Sequence, residues 1–347
     1  MGKSWEQYLQ EGEQCLREAG IAEAELDAWY LFSEAFQMDR THYFLKKKQE
    51  AKGEEWEERL CRYQEWLGQR AKRIPLQQIL KTQEFMALPF VVSEQVLIPR
   101  QDTETLVELV LSEKKEKGLR VLDLCTGSGC IALSLAVLGG YRSVTAADLS
   151  LSALQVAERN VEELYTKNDY RSRCGLTVTD VRAENKIENK IDIRTEEKKQ
   201  NFSQSFDKSW ETLVKEKNSS KTFWTKFRLL QSDLFEQIEK TESFDIVVSN
   251  PPYIPSSVIE ELEPEVRDYE PRMALDGHAD GLYFYRRLAE ESKAYLAQEA
   301  DVYFEIGHDQ GEALREILAA SGFEEIRIVK DLSGKDRVAA ARWKKKE

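Results

Sequence analysis

The chain has 347 residues, 41% of them hydrophobic and 33% charged, which excludes a disordered chain and provides enough core for about two domains. Its formal charge of -13 argues against a surface built to neutralise many phosphates, so protein or small-molecule partners are expected and stable nucleic-acid binding is not. No apolar run reaches bilayer length and "MGKSWEQYLQEGEQC" lacks the apolar stretch of a signal peptide; a cytoplasmic protein without membrane contact is expected.

From Trp5 to about Arg70, "WEQYLQEGEQCLREAG", "AEAELDAWYLFSEAF" and "GEEWEERLCRYQEWLGQRA" carry apolar residues at helical spacing, punctuated by Gly20 and Gly53. This pattern predicts a small helical domain over 1–74. Over 75–100, "QEFMALPFVVSEQVLIPR" is β-rich with short polar breaks, as a β-hairpin linker would be. Beyond it helices are expected at 103–116, 130–138, 151–164, 281–297 and 310–320, with strands at 120–124, 143–147, 226–230, 244–249, 301–306 and 323–330. Such alternation predicts an α/β domain over 101–347, a mostly parallel sheet covered by helices on both faces. Residues 185–222 interrupt it with a run rich in Lys, Glu, Asn and Ser. Connections of this kind usually take about 2 to 6 residues, so a solvated, flexible insertion is expected, although Phe202, Phe206 and Trp210 leave room for a small docked element.

The first chemical signal is "RVLDLCTGSGCIALSLA". An apolar strand runs through Cys125 into Thr126, Gly127, Ser128 and Gly129 and then into a helix, so small residues and exposed amides meet where a nucleotide-like ligand can approach closely. Gly127, Gly129 and Ala132 also satisfy the dinucleotide fingerprint. Asp148 closes the next strand, "SVTAAD", where a carboxylate can accept hydrogen bonds from both hydroxyls of a ribose. NAD and S-adenosylmethionine both present that ribose. Asp123, within the first strand, tips the balance toward S-adenosylmethionine, because the dinucleotide fingerprint ordinarily has an apolar residue there. The blander alternative is a tight strand-to-helix turn, with Asp148 capping the helix that opens at "LSLSAL".

The second signal is "FDIVVSNPPYIP". A planar NH2 group conjugated to a carbonyl or an aromatic ring is a poor nucleophile, because its lone pair is delocalised. Asn250 offers a side-chain acceptor and Pro251 a backbone carbonyl, so both N–H bonds of such a group can be gripped. Pro251 and Pro252 stiffen the backbone that carries those acceptors, and Tyr253 offers a flat face to the planar target. A rigid turn leaving an ordinary strand is the alternative. No metal is expected: the five cysteines form no CxxC pair and the three histidines are far apart.

Together "VLDLCTGSGCIA", "AADLS", "QSDLF", "FDIVVSNPPYIP", "VLIPRQDTE" and "FEIGHDQGEALREILAASGFEEIRIVKDLSGKDRVAAARW" resemble the bacterial release factor glutamine methyltransferases, over essentially the whole chain except 185–222. The resemblance implies a Rossmann-like class I methyltransferase sheet and transfer of a methyl group from S-adenosylmethionine to the side-chain amide of the glutamine in the Gly-Gly-Gln tip of peptide chain release factors. By position, Thr126 to Gly129 would line the methionine end of the cofactor together with Asp123 and Cys125. Asp148 would hold the ribose and Asp233 would lie near the adenine. Asn250, Pro251, Pro252 and Tyr253 would hold the glutamine amide, with Asn250 bordering the cofactor too. The helical domain would recognise the release factor. Cys125 stands where many members have Gly, Gln101 where Pro is usual, and Leu234 where an aromatic is common. Three rivals share parts of this pattern: an adenine methyltransferase on DNA or RNA, a nicotinamide oxidoreductase, and a non-catalytic cofactor-binding protein.

Overall fold

The computed structural model describes residues 2–166, 177–178 and 226–345; the expected insertion at 185–222 lies outside the described residues. Two compact units divide the chain: Met1–Arg100 with Pro252–Phe284, and Gln101–Pro251 with Tyr285–Glu347.

The first unit begins with helices α1 (Trp5–Glu18), α2 (Ala24–Phe36), α3 (Arg40–Lys46), α4 (Trp56–Ala71) and α5 (Leu76–Leu80). Ser4 and Gln7 close a reciprocal capping box on α1, which satisfies amides that have no partner within the helix. The apolar stripes meet in an aromatic centre, where Trp5 lies edge-on to Phe36 at 5.3 Å and to Trp56 at 5.2 Å between ring centroids. Gly12 is required on α1 because an added Cβ would lie 2.0 Å from the Tyr63 hydroxyl of α4. The hairpin expected within 75–100 consists of β1 (Thr82–Phe85) and β2 (Leu88–Val91). Its two turn residues, Met86 (φ 53°) and Ala87 (φ 57°), both adopt left-handed backbone, so the turn forms without the usual Asn-Gly pair.

Residues Pro252–Phe284 join this unit, whereas the sequence reading assigned them to 101–347. Long-range polar contacts hold them there. Arg70, almost fully buried, donates to Asp27 Oδ2 (2.6 Å) and to Glu265 Oε1 (2.9 Å). Arg73 pairs with Glu263 at 3.1 Å and Glu265 at 2.7 Å, and Gln78 donates to the Tyr269 carbonyl at 2.8 Å. Glu270, buried, accepts from the Ile98 amide (3.2 Å) and from Arg100 (2.7 Å). Burial raises the carboxyl pKa of Asp27, and its bond to Arg70 opposes the rise; a buried carboxylate without such a partner would be strongly destabilising.

The second unit contains an eight-stranded sheet in the order β5-β6-β4-β3-β7-β8-β10-β9. Its strands are β3 (Arg120–Leu124), β4 (Ser143–Asp148), β5 (Thr177–Val178), β6 (Lys226–Gln231), β7 (Phe244–Ser249), β8 (Leu296–Glu305), β9 (Glu324–Lys330) and β10 (Asp336–Lys344). Strands β5 to β8 and β3 to β4 run parallel, and β10 lies antiparallel between β8 and β9. Helices α6 (Gln101–Glu113), α7 (Cys130–Ser134), α8 (Leu151–Thr166), α9 (Tyr283–Glu291) and α10 (Gly311–Ala320) accompany the sheet, which is Rossmann-like with helices on both sides. β10 was not anticipated, because "VAAAR" is poor in β-branched residues; Val338 to Ala341 are nevertheless buried between β8 and β9, where small side chains fit. β8 starts at Leu296 rather than at 301 because Leu296 pairs with Phe244 of β7 while Glu299 and Ala300 pair with β10. Helix α7 gives way to a π-helical turn, Leu135–Gly139. Among the described residues, no helix is long and apolar enough to cross a membrane.

Candidate active site

Register aligns the carboxyl ends of the central strands. Leu124 of β3 faces Ala147 of β4 and Ser249 of β7, and Ser249 faces Phe304 of β8. The residues that follow, Cys125, Asp148, Asn250 and Glu305, therefore close four adjacent strands, where open α/β sheets bind ligands.

The glycine loop is tied to both flanks. The Thr126 amide donates to the Ala147 carbonyl (3.0 Å), and the Thr126 hydroxyl donates to Asp123 Oδ2 (2.6 Å). The Gly127 amide donates to Asp148 Oδ2 and the Ser150 amide to Asp148 Oδ1, each at 2.8 Å. An ionised carboxylate has about four lone-pair sites, so Asp148 retains acceptor capacity for a ligand's hydroxyls. Gly127 (φ 55°) and Gly129 (φ 80°) are both left-handed, and an added Cβ on Gly129 would press on Ala157 of α8 at 3.2 Å. Ser128 is buried, and its carbonyl accepts from Asn160 at 2.9 Å. Cys125 has φ 58°, a conformation that glycine adopts without strain and that costs an L residue about 1 to 2 kcal/mol; the preference for Gly that the resemblance implies at this position has that cause. Burial pushes the Cys125 thiol pKa upward, and the negative charge of Asp148 adds to the effect.

Two carboxyls are held in unusual states. Asp123 is 0% exposed and burial pushes its pKa up to about 7, against the pull of the Thr126 hydroxyl and the Ala132 amide. Its Oδ1 has no hydrogen-bond partner. Burial likewise raises Asp148, opposed by the amides of Ser150, Gly127 and Leu149. Asp233 follows β6, where the Ser232 amide bonds to the Asp148 carbonyl (2.9 Å), and Asp233 accepts from Arg287 at 2.7 Å. Leu234 is buried at φ 48°, and Gln101 opens α6 from an exposed position.

Asn250 donates from Nδ2 to the Thr103 hydroxyl at 3.4 Å, and Ser249 Oγ donates to the Leu124 carbonyl at 2.7 Å. The second unit thus brings together Asp123, Cys125 to Gly129, Asp148, Asp233, Asn250 and Pro251. Pro252 and Tyr253 belong to the first unit. There, Gly277 donates to the Ile254 carbonyl (2.8 Å), and an added Cβ on Gly277 would lie 2.8 Å from the Tyr253 Cα and carbonyl carbon. Ser256 and Asp276 brace the same stretch with a 2.6 Å bond. Sequence reasoning gave no role to Thr103, Arg287, Glu305 or Arg337. Glu305 carried a signal that was available, since it ends the apolar run "VYFE" as Asp148 ends "SVTAAD". Among the described residues, no cluster of three or more His, Cys, Asp or Glu side chains could hold a metal ion.

Residues 7–80 match the family described as the PrmC N-terminal domain, and 130–290 match the Eco57I restriction-modification methylase family. The release factor glutamine methyltransferase of Geobacter sulfurreducens is 34% identical over 94% of this chain and 92% of its own length. The enzyme of the same name from Clostridium botulinum is 33% identical over 96% of this chain and 97% of its own. A crystal structure of a release factor-specific protein-(glutamine-N5) methyltransferase from Alicyclobacillus acidocaldarius is 28% identical, covers 74% of this chain and 100% of its own, and has a TM-score of 0.35. Identity at this level across nearly the full length of both chains shows that the protein belongs to the release factor glutamine methyltransferases, a family of S-adenosylmethionine-dependent protein-glutamine methyltransferases.

Proposed function

We propose that this chain methylates the side-chain amide nitrogen of the glutamine in the Gly-Gly-Gln motif of peptide chain release factors, and through it modulates translation termination in the cytoplasm. The observation that carries this reading is the presentation of Asn250. Its nitrogen is engaged with Thr103 at the carboxyl end of β7, which leaves Oδ1 as an acceptor for a planar N–H group. The residues of the glycine loop fit S-adenosylmethionine. An added Cβ on Gly127 would meet no heavy atom within 4 Å, so a ligand can approach the backbone there, and Asp123 Oδ1 is buried without a partner. Asp123, Cys125, Thr126, Gly127, Ser128 and Gly129 would line the methionine end, Asp148 would accept from the ribose hydroxyls, Asp233 would lie near the adenine, and Asn250 would border the methyl-bearing end.

Bound there, the cofactor would supply an electrophilic methyl group on a sulfonium, with a neutral thioether as the leaving group. The chain's own part is positioning. Asn250 Oδ1 and the Pro251 carbonyl accept the two N–H bonds of the glutamine amide and turn its nitrogen toward the methyl group, holding a geometry that a free amide would rarely sample. Pro251 and Pro252 keep those acceptors from having to be ordered on binding, and the face of Tyr253 packs on the amide plane. The N-methylated amide is first formed as a cation whose nitrogen is far more acidic than that of the neutral amide, so it would release its proton to water after transfer; transfer is direct, with no covalent enzyme intermediate. Residues 1–74 recognise the release factor. The test offers labelled S-adenosylmethionine with a release factor, DNA and transfer RNA together, and locates the label by mass spectrometry. Label on the Gly-Gly-Gln glutamine is expected; label on nucleic acid alone would overturn the assignment in favour of adenine methylation.

A further inference from the structure

Strands β6, β4, β3 and β7 are neighbours in that order in the sheet. The glycine loop leaves β3, Asp148 closes β4, and Asp233 follows β6, where the Ser232 amide donates to the Asp148 carbonyl at 2.9 Å. A nucleoside whose ribose hydroxyls are held by Asp148, and whose 5′ end lies over the glycine loop, therefore extends its base toward Asp233. The turn that carries Asp233 is braced from within. The buried Ser232 hydroxyl donates to the Leu234 carbonyl (2.8 Å) and accepts from the Gln237 amide (3.0 Å), and the Phe235 ring stacks on Tyr295 at 5.1 Å between centroids.

The side chain of Asp233 is held from α9. Arg287 donates from Nη1 to Asp233 Oδ1 at 2.7 Å, from Nε to Glu291 Oε1 at 2.7 Å and from Nη2 to Glu291 Oε2 at 3.4 Å. Glu291 is four residues beyond Arg287 on the same face of the helix. Its two oxygens take one edge of the planar guanidinium, which fixes the plane of the fork and aims Nη1 at a single oxygen of Asp233. All three side chains are partly exposed, so the two ion pairs contribute little to stability; their effect is on geometry. With Oδ1 taken up by Arg287, Oδ2 is left as the acceptor toward a ligand. A carboxylate accepts and does not donate, so what it reads on the edge of a base is an N–H, and the 6-amino group of adenine supplies one. We propose that Arg287, held by Glu291, is a positioning residue for recognition of the cofactor's base: it turns Asp233 so that Oδ2 accepts from the 6-amino group of the adenine, and so makes the site select an aminopurine nucleoside. This role rests on the reading of the β3, β4 and β6 ends as the S-adenosylmethionine site, and adds to it the residues that set base specificity.

The experiment measures, by calorimetry on the full chain, the binding of S-adenosylhomocysteine and of its analogue with hydrogen in place of the 6-amino group. Wild type, Arg287→Gln, Glu291→Gln and Asp233→Ala are compared. The wild type should prefer S-adenosylhomocysteine by about 10- to 100-fold, as a hydrogen bond to a charged group would give. Arg287→Gln should weaken S-adenosylhomocysteine about 10-fold and leave the analogue within about 2-fold, whereas a merely structural contribution would weaken both ligands alike. Asp233→Ala should abolish the preference. Glu291→Gln, a milder change, should move the preference in the same direction as Arg287→Gln and carries the test if that variant does not fold. Equal losses for the two ligands in Arg287→Gln and Glu291→Gln, a preference that survives Asp233→Ala, or a wild type with no preference overturns the proposal. Methyl transfer to a release factor is followed in parallel. If it is absent while S-adenosylhomocysteine binds with the expected preference, the glutamine target fails and the role of Arg287 stands; a wild type that binds neither ligand overturns the cofactor reading and this role with it.

Discussion

Asp123 allows a quantitative test, because its carboxyl is enclosed on every side. It is 0% exposed, Thr126 donates to one oxygen, and the other oxygen has no partner. Burial raises its pKa from 3.8 to about 7. Between these values the unfolded chain has released the proton while the folded chain still holds it, so stability falls as pH rises through that window and levels off above about 7. A gap of about three pH units at about 1.36 kcal/mol each gives a penalty of about 4 kcal/mol at pH 8, of which about 2.6 kcal/mol develops above pH 5. Asp123→Asn keeps the shape and an acceptor for Thr126 but cannot ionise. Urea unfolding of both proteins at pH 5, 6, 7 and 8 should therefore show the variant gaining on the wild type by about 2 to 3 kcal/mol across the series. Glu305 is present in both proteins, so its titration cancels in the comparison. A stability difference that stays constant from pH 5 to pH 8 would refute the reasoning, because it would mean that Asp123 is ionised throughout the range in the folded protein.

Three further substitutions separate binding from chemistry. Asn250→Ala removes one acceptor for the target amide and should lower turnover by about 100-fold while leaving cofactor affinity nearly unchanged; equal turnover would remove Asn250 from the mechanism. Asp148→Ala withdraws the partner of the Gly127 and Ser150 amides as well as the ribose acceptor, and should weaken S-adenosylmethionine about 100-fold or more by calorimetry. Gly277→Ala places a methyl group 2.8 Å from the Tyr253 backbone and should slow turnover about 10-fold or more through displacement of Tyr253, with cofactor affinity as the unchanged control.

Much of the second unit was legible in the sequence because its signals are local. An apolar run that ends in an acid or in a glycine loop marks where a buried strand leaves the sheet, so strand 120–124 and strand 244–249 match β3 and β7 to the residue. β10 was missed because alanines carry no strand preference of their own; their place depends on β8 and β9 lying on either side. The grouping of 252–284 with 1–100 is hidden in the sequence for a similar reason. Nothing near Glu263, Glu265 or Glu270 in the sequence says that Arg73, Arg70 and Arg100 will meet them.

The chemistry on offer is written locally: a glycine loop between two acidic strand ends, and an amide presented on a stiff proline backbone. Spacing within a single strand and the loop that follows it is enough to create those features, and they suffice to suggest a planar N–H target and a ribose-bearing cofactor. The partner of the amide comes from elsewhere in the fold. Residues 103, 250 and 305 are far apart along the chain; the pairing of β7 with β8 sets Glu305 at the strand end next to that of Asn250, and α6 brings Thr103 to the Asn250 amide nitrogen. Strand order is set by burial summed over the whole sheet, so no local stretch of sequence could reveal which residues meet at the end of β7.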